Sequence, residues 1–409
     1  MARLPRTADV VIIGGGVHGA SLAYHFARKR AGRVLLVERK FLASGPTGRS
    51  TAMVRRFYGM DFFTRTASAA ADIFQSWRDV IGGGDPGFQQ VGYLVLVGSS
   101  EAANLARNVG RAQAAGARVT LLSPADVKAL VPAISAEDLA VASYEAESGY
   151  ADPSSTTNAL ADRARELGAT IVLYESVHAI LTTGRRVTGI RAAGGDVTAP
   201  VVVTCAGLGA PQLLAPLGID VPIRPQRHQM CFFRRPPGFG PHPGIVDRPH
   251  GTYMRPEHGD LTIHGVGSYA EVVDPDEYNE SADADQILRN AELAARRFPI
   301  MEHGLALGGY AGVYDTTPDG QPVLGAIPEY DGLYGDFGWS GHGFKHAPVI
   351  GDILSDLVLT GRSGAYDLGP FRWSRFREGD LVPPASTTAP PPGGQPPPGG
   401  QEVPTPSPT

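Results

Sequence analysis

Apolar and polar positions follow two different periods along this chain, and the changes of period mark its elements. Residues 8–13 read as a strand whose continuous apolar run, 10–13, is the mark of burial on both faces. Residues 17–29 return to apolar positions at helical spacing, and 33–38 is a second buried run, so the first forty residues predict a βαβ unit. Helical spacing returns over 65–79, 101–115, from 153 to about 167, and from 348 to 359. Pro153 suits a first helical position, where its missing N–H is no loss. Strand-like runs fall at 92–97, 170–175, 186–191 and 197–204. Residues 222–310 are rich in aromatics and prolines and alternate apolar with polar, predicting an antiparallel sheet that ends in a helix over 284–298.

Composition narrows the class. A chain of 409 residues exceeds what one core usually supports, so two interlocked domains are expected. It is 42% hydrophobic and 19% charged, ordinary values for a globular protein. Its net charge of -5 gives no footprint for nucleic acid or an anionic membrane. Two cysteines, Cys205 and Cys231, exclude a disulfide framework and a Cys-rich metal site, and no His/Cys/carboxylate cluster has ligand spacing, so no metal is expected. No apolar run reaches transmembrane length and the first apolar run is too short for a signal segment, which points to the cytoplasm. From 383 to 409 the chain is dominated by Pro, Gly, Ser, Thr and Gln, with Pro-Pro-Pro-Gly-Gly-Gln repeated at 390–395 and 396–401. Such a tail lacks the apolar surface to offset its ordering entropy and is expected to be disordered.

Two glycine-rich turns carry the chemistry. Gly14-Gly-Gly16-Val-His-Gly19 fits G-x-G-x-x-G between a predicted strand and a helix, and Glu38 closes the next strand where an acid can bind ribose hydroxyls. This is a dinucleotide fingerprint. It does not choose between FAD and NAD; Glu38 disfavours a 2′-phosphate, while the neighbouring Arg39 tempers that argument. His18 inside the turn reads as a tolerated variable position. The second turn, Gly338-Trp-Ser-Gly-His-Gly-Phe-Lys345, follows Thr317-Pro-Asp-Gly-Gln-Pro322 and precedes the helix from 348, whose N–H groups would face back toward it. A third glycine site at Ala206-Gly207-Leu-Gly209 adds to the case for a long cofactor with a broad ring system.

These segments, with Gly45-Pro-Thr-Gly-Arg-Ser-Thr-Ala-Met-Val-Arg-Arg-Phe-Tyr58 and Gly149-Tyr-Ala-Asp-Pro153, resemble the D-amino-acid oxidase/sarcosine oxidase superfamily of FAD-dependent oxidoreductases, over about 8–376. The likeness is nearest to sarcosine oxidases and their β-subunits. It implies an α/β FAD-binding domain of Rossmann-like, glutathione-reductase type, from 1–82, 145–221 and 311–380. An α+β substrate domain with a mostly antiparallel sheet, from 83–144 and 222–310, would accompany it. It also implies that Arg49, Ser50 and Met53 lie beside the isoalloxazine or pyrophosphate, and that Val177 meets the adenine through its backbone. Ala206 and Gly207 would pack on the ribityl region, while Gly341, His342, Gly343 and Phe344 border the flavin N1/O2 edge. Arg55 and Lys345 match positions that hold a substrate carboxylate, and a fork-shaped guanidinium beside a point charge suits that task. Tyr314 matches an aromatic lining the active site; Tyr253 or Arg255 approaches from the sheet. His228 and His264 read as core or rim residues.

Three departures refine the expectation. The place of a flavin-linking Cys is Gly312, and the loop where relatives carry a linking His reads Thr47-Gly-Arg49, so FAD is expected without a covalent link. An oxygen-activating Lys before Asp-Pro-Asp is missing from Glu271-Val-Val-Asp-Pro-Asp276, so a dehydrogenase passing electrons to another acceptor or partner subunit is compatible. The resemblance implies oxidation of a C–N bond in a small amino acid or N-methyl amino acid, with hydride passing to the flavin and the imine hydrolysed. The alternatives are a 2-hydroxy-acid dehydrogenase on the same fold and a flavin-binding subunit of a larger complex.

Overall fold

The computed structural model describes residues 3–267 and 271–383. The Pro/Gly-rich stretch expected to be disordered lies, from 384 on, outside the described residues. The opening βαβ unit is formed by the strand Val10–Ile13, the helix Val17–Arg28 and the strand Val34–Glu38. Both strands belong to a six-stranded sheet with neighbours in the order Val323–Ala326, Leu333–Phe337, Val201–Thr204, Val10–Ile13, Val34–Glu38 and Thr170–Leu173. All its pairings are parallel except the antiparallel edge strand Val323–Ala326.

The continuous apolar runs are explained by two cores on one sheet. Val10, Ile12, Val34 and Leu36 join one cluster with the helices Val17–Arg28, Pro153–Glu166 and Ala347–Thr360. Their neighbours Val11, Ile13, Leu35 and Val37 point the other way, into a cluster shared with the three-stranded meander Val177–Thr183, Arg186–Ala192 and Gly195–Thr198. A strand with period-two side chains can be apolar throughout only when both faces are covered.

The second large sheet has eight strands, in the order Leu305–Thr316, Arg224–Arg234, Leu261–Val266, Thr252–Pro256, Gly244–Asp247, Tyr93–Val97, Val141–Glu145 and Thr120–Leu122. Only the pair Gly244–Asp247 with Tyr93–Val97 is parallel. Leu94 and Leu96 pack on one side with Ile245, Met254 and Phe298, while Tyr93, Val95 and Val97 pack on the other with Leu105 and Val109. The helix Ala284–Arg297 is tied to the sheet by buried Arg297, which donates to Asp247 at 2.7 and 2.9 Å and to Asp138 at 2.7 and 2.9 Å.

Three expected elements differ. The helix expected over 65–79 is two, Asp61–Gln75 and Trp77–Ile81, separated at Ser76. The run 197–204 is cut at Ala199-Pro200: Gly195–Thr198 ends the meander and Val201–Thr204 enters the six-stranded sheet. Proline has no N–H to give a ladder, so the chain changes sheets there. Between the second glycine-rich turn and its helix stands a 3-10 turn, Phe344–His346, so the helix begins at Ala347.

Candidate active site

The first glycine-rich turn is shaped by close backbone contacts. A Cβ on Gly19 would lie 1.9 Å from the Gly14 carbonyl oxygen, and Gly14 itself has φ of +112°. The N-cap of the helix Val17–Arg28 is Gly16, which has no side chain to cap it; Thr47 Oγ1 accepts from the Val17 N–H at 3.2 Å. Gly16 and Val17 border the cleft, so the positive end of the helix dipole lies at the cleft. Glu38 accepts from the Gly15 N–H at 2.6 Å and from the Lys40 N–H at 2.8 Å. A carboxylate has about four lone-pair sites, so Glu38 can accept further hydroxyls. A Cβ-free approach, a helix N-terminus at the cleft and an acid at the next strand's end together fit a dinucleotide.

The second turn is hung on Asp315, which accepts from the N–H groups of Gly338 at 2.8 Å and Ser340 at 3.2 Å. Burial pushes the Asp315 carboxyl above its ordinary range despite these donors. Gly341 has φ of +87°, and a Cβ there would meet the Tyr314 ring at 2.5 Å. His18 joins the two turns: its Nδ1 lies 3.0 Å from Asp336 Oδ2, its Nε2 lies 3.1 Å from the Gly343 carbonyl, and its ring stacks on Trp339. The Thr317–Pro322 motif serves as a brace. Asp319 forms a buried pair with Arg375 at 2.7 and 3.1 Å, and Thr317 Oγ1 donates to the Gln321 carbonyl.

One cleft runs between the turns. Of the residues singled out from the sequence, Gly14, Gly16, Glu38, Arg39, Arg49, Ser50, Ala206, Gly207, Tyr314, Gly341, Gly343 and Phe344 form its wall. Gly19 lies beneath, against Gly14. Met53 is in the core cluster with Phe57 and Tyr93. Val177 follows Glu175 by two residues, and the Glu175 N–H donates to the Glu38 carbonyl at 2.9 Å, which sets the meander against the Glu38 end. A strap from Pro275 to Glu280 also borders the cleft. Asp276 pairs with Arg39 at 2.7 Å and Glu280 with Arg49 at 2.8 Å. Arg49 also donates to the Ala311 carbonyl at 3.1 Å, and a Cβ on Gly312 would lie 3.0 Å from its Cβ.

Arg55, His342 and Lys345 are not on the cleft wall, although His342 and Lys345 belong to the second turn itself. Arg55 is 6% exposed, with its guanidinium 3.7 Å from the Tyr58 ring centroid and 5.8 Å from that of Tyr93. It also donates to the Phe57 carbonyl. The Lys345 amine is buried 5.6 Å from the Tyr58 ring and donates to the His342 carbonyl at 3.2 Å. Among the described residues neither cation has a carboxylate within ion-pair distance. Burial first, and then the Arg55 charge, hold the Lys345 ammonium well below the usual lysine range; Glu145 opposes them. His342 contacts the Gly320 carbonyl at 3.1 Å and is pushed down to about 3 by burial.

Other groups come into view only in three dimensions. Tyr58 carries both cations on one ring, yet in the sequence it merely ends an Arg-Arg-Phe-Tyr run. His228 hydrogen-bonds the Tyr253 hydroxyl and stacks on Tyr253 and Tyr314, with ring centroids 5.6 and 5.1 Å away. Burial pushes its imidazole down to about 3. The alternation of its strand was the only signal for the direction it faces. Arg255 donates to the Thr51 carbonyl at 2.7 Å and pairs with Glu257 at 2.8 Å. His264 is buried against Asn290 at 2.6 Å.

Comparison with known proteins agrees with this geometry. Residues 9–357 match the family model described as DAO, FAD dependent oxidoreductase. The chain is similar to FAD-dependent oxidoreductase domain-containing protein 1 of Bos taurus, 29% identical over 418 residues that cover 92% of this chain and 86% of that protein. It is also 29% identical to the peroxisomal sarcosine oxidase of Homo sapiens, over 90% of this chain and 96% of that one. In fold it resembles the crystal structure of L-proline dehydrogenase from P.horikoshii, with a TM-score of 0.86, 26% identity and coverage of 93% and 100%. No described helix is long and apolar enough to cross a membrane. With residues 9–357 matching that family model, the chain belongs to the DAO family of FAD-dependent oxidoreductases.

Proposed function

We propose that this enzyme oxidises the C–N bond of a small amino acid or N-methyl amino acid bearing a free carboxylate. The carrying observation is the buried pair Arg55 and Lys345, two cations sharing the Tyr58 ring with no carboxylate partner among the described residues. Burying two like charges is costly unless an anion joins them, and a substrate carboxylate is that anion. Lys345 directly follows Phe344 of the cleft wall, so the carboxylate would be held at the edge of the flavin cleft. Bound FAD supplies the two-electron acceptor for the oxidation.

The remaining residues orient the substrate and keep the site dry. The stack of Tyr314 on the cleft wall with His228 and Tyr253 behind it is uncharged, because burial keeps the imidazole neutral. Such a wall favours an amine that arrives without its proton, the form that can be oxidised. Gly14, Gly16, Glu38, Arg39, Ala206 and Gly207 would hold the dinucleotide end, and Arg49, Ser50, Gly341, Gly343 and Phe344 the ring end. The flavin would be held without a covalent bond, since Gly312 offers no nucleophile and Arg49 packs over it. The six-stranded sheet would be the centre of the cofactor domain and the eight-stranded sheet that of the substrate domain. With no Lys in the strap, transfer to an acceptor other than oxygen is the favoured fate of the electrons.

Anaerobic flavin bleaching tests this reading. The purified protein is mixed with sarcosine, dimethylglycine, proline, D-amino acids and 2-hydroxy acids. Bleaching by an amino acid and not by its decarboxylated amine is the expected result. Bleaching by 2-hydroxy acids alone would overturn it.

A further inference from the structure

The carboxylate site proposed above rests on residues 55–58, and one buried side chain holds two consecutive backbone amides of this segment. Glu145, at the end of the strand Val141–Glu145, is fully buried. Its Oε2 accepts from the Arg56 N–H at 2.5 Å, and its Oε1 accepts from the Phe57 N–H at 3.2 Å. Ser148 Oγ donates to Oε2 at 2.7 Å. Among the described residues no Lys, Arg or His side chain lies within ion-pair distance of this carboxylate, which separates it from the buried acids of the Arg297 and Arg375 pairs. A buried acid is usually paired with a base; this one instead grips two consecutive backbone amides.

The consequence falls on Arg55. Its guanidinium donates to the Phe57 carbonyl and lies over the Tyr58 ring, so two of its three contacts among the described residues belong to the segment that Glu145 holds. Arg56 secures the same segment from outside, through Asp72 at 2.8 Å and the Ser68 carbonyl at 3.1 Å. Tyr93, the other ring beneath Arg55, stands directly opposite Glu145 in the sheet.

We infer that Glu145 is a positioning residue for substrate binding, holding the Arg55–Tyr58 segment through its backbone so that Arg55 meets the substrate carboxylate. The inference rests on the proposed carboxylate site. Glutamine in its place would keep the size but lose an acceptor, leaving one amide N–H facing a donor.

The test uses the FAD-loaded protein, with acetate as the probe and the flavin absorption band as the readout. Glu145→Gln is expected to weaken acetate binding about tenfold, the effect of one lost charge-assisted hydrogen bond passed on to Arg55. In an Arg55→Met background the same change should have a much smaller effect, because the residue it positions is gone and only its support for the Lys345 charge remains to be lost. Equal acetate affinity in native protein and Glu145→Gln, or full additivity with Arg55→Met, would overturn the inference while leaving the carboxylate site intact. Native protein whose spectrum does not respond to acetate would overturn the carboxylate reading and this inference with it. Should Glu145→Gln fail to fold, Ser148→Ala removes only the third hydrogen bond. It is expected to weaken acetate about two- to threefold with the thermal midpoint nearly unchanged, and unaltered affinity there overturns the inference.

Discussion

His18 and Asp336 are 318 positions apart in the chain, yet His18 Nδ1 lies 3.0 Å from Asp336 Oδ2. Through this contact, and through His18 Nε2 to the Gly343 carbonyl at 3.1 Å, the turn that opens the fold is fastened to the turn that closes it. The cleft proposed to hold the flavin lies between them, so cofactor retention should depend on a side chain with no chemistry of its own. Replacing His18 by Leu removes both hydrogen bonds, each worth about 1 kcal/mol. FAD affinity is expected to fall about tenfold, read as free flavin fluorescence after gel filtration.

The strap over the cleft should make FAD release sensitive to salt. The pairs Arg39–Asp276 and Arg49–Glu280 are partly exposed, with Asp276 41% and Glu280 64% accessible. Exposed pairs are screened within a Debye length of about 8 Å at physiological ionic strength. Raising salt to about 1 M is expected to speed FAD dissociation about two- to fivefold. The double change Asp276→Asn and Glu280→Gln should abolish that dependence; stopped-flow flavin fluorescence gives both rates.

Binding of carboxylates should weaken as pH rises. Burial and Arg55 hold Lys345 below the usual lysine range, so its ammonium loses its proton at lower pH than an exposed lysine would. Below that pKa both cations are present and acetate binds; above it only Arg55 remains. A bound anion favours the charged amine, so acetate should in turn raise the pKa of Lys345. Acetate titrations over a wide pH range are expected to show this loss at lower pH than an exposed lysine would give in native protein, and a flat, weaker profile in Lys345→Met.

The brace under the second turn should matter for stability more than for turnover. Arg375 and Asp319 are both almost wholly inaccessible. Removing one partner of such a pair leaves a buried charge, at a cost of about 3–5 kcal/mol. Arg375→Met is expected to lower the thermal midpoint by several degrees, measured by calorimetry on FAD-loaded protein.

Acid precipitation should free all of the flavin into the supernatant. Gly312 carries no nucleophile, and the space beside it is taken by Arg49. Yellow colour retained in the washed pellet would contradict this.

The amino-acid sequence by itself determined the frame. Gly14, Gly16, Gly19 and Glu38 are legible because local backbone geometry demands glycine and because the acid follows at a fixed chain distance. The buried strands are legible because two covered faces leave no polar position. The motif at Gly338–Lys345 marked a ligand turn for the same local reason. Tertiary structure decided the rest. That Arg55 and Lys345 share the Tyr58 ring, that His18 binds the far turn, that Glu145 grips Arg56 and Phe57, and that Asp319 seeks Arg375 all depend on residues far apart in the chain. Hydrophobic period tells a residue which face it occupies. It carries no record of which side chain stands opposite, and that pairing, settled only by packing the two sheets and their helices together, is what turns a dinucleotide fold into an active site.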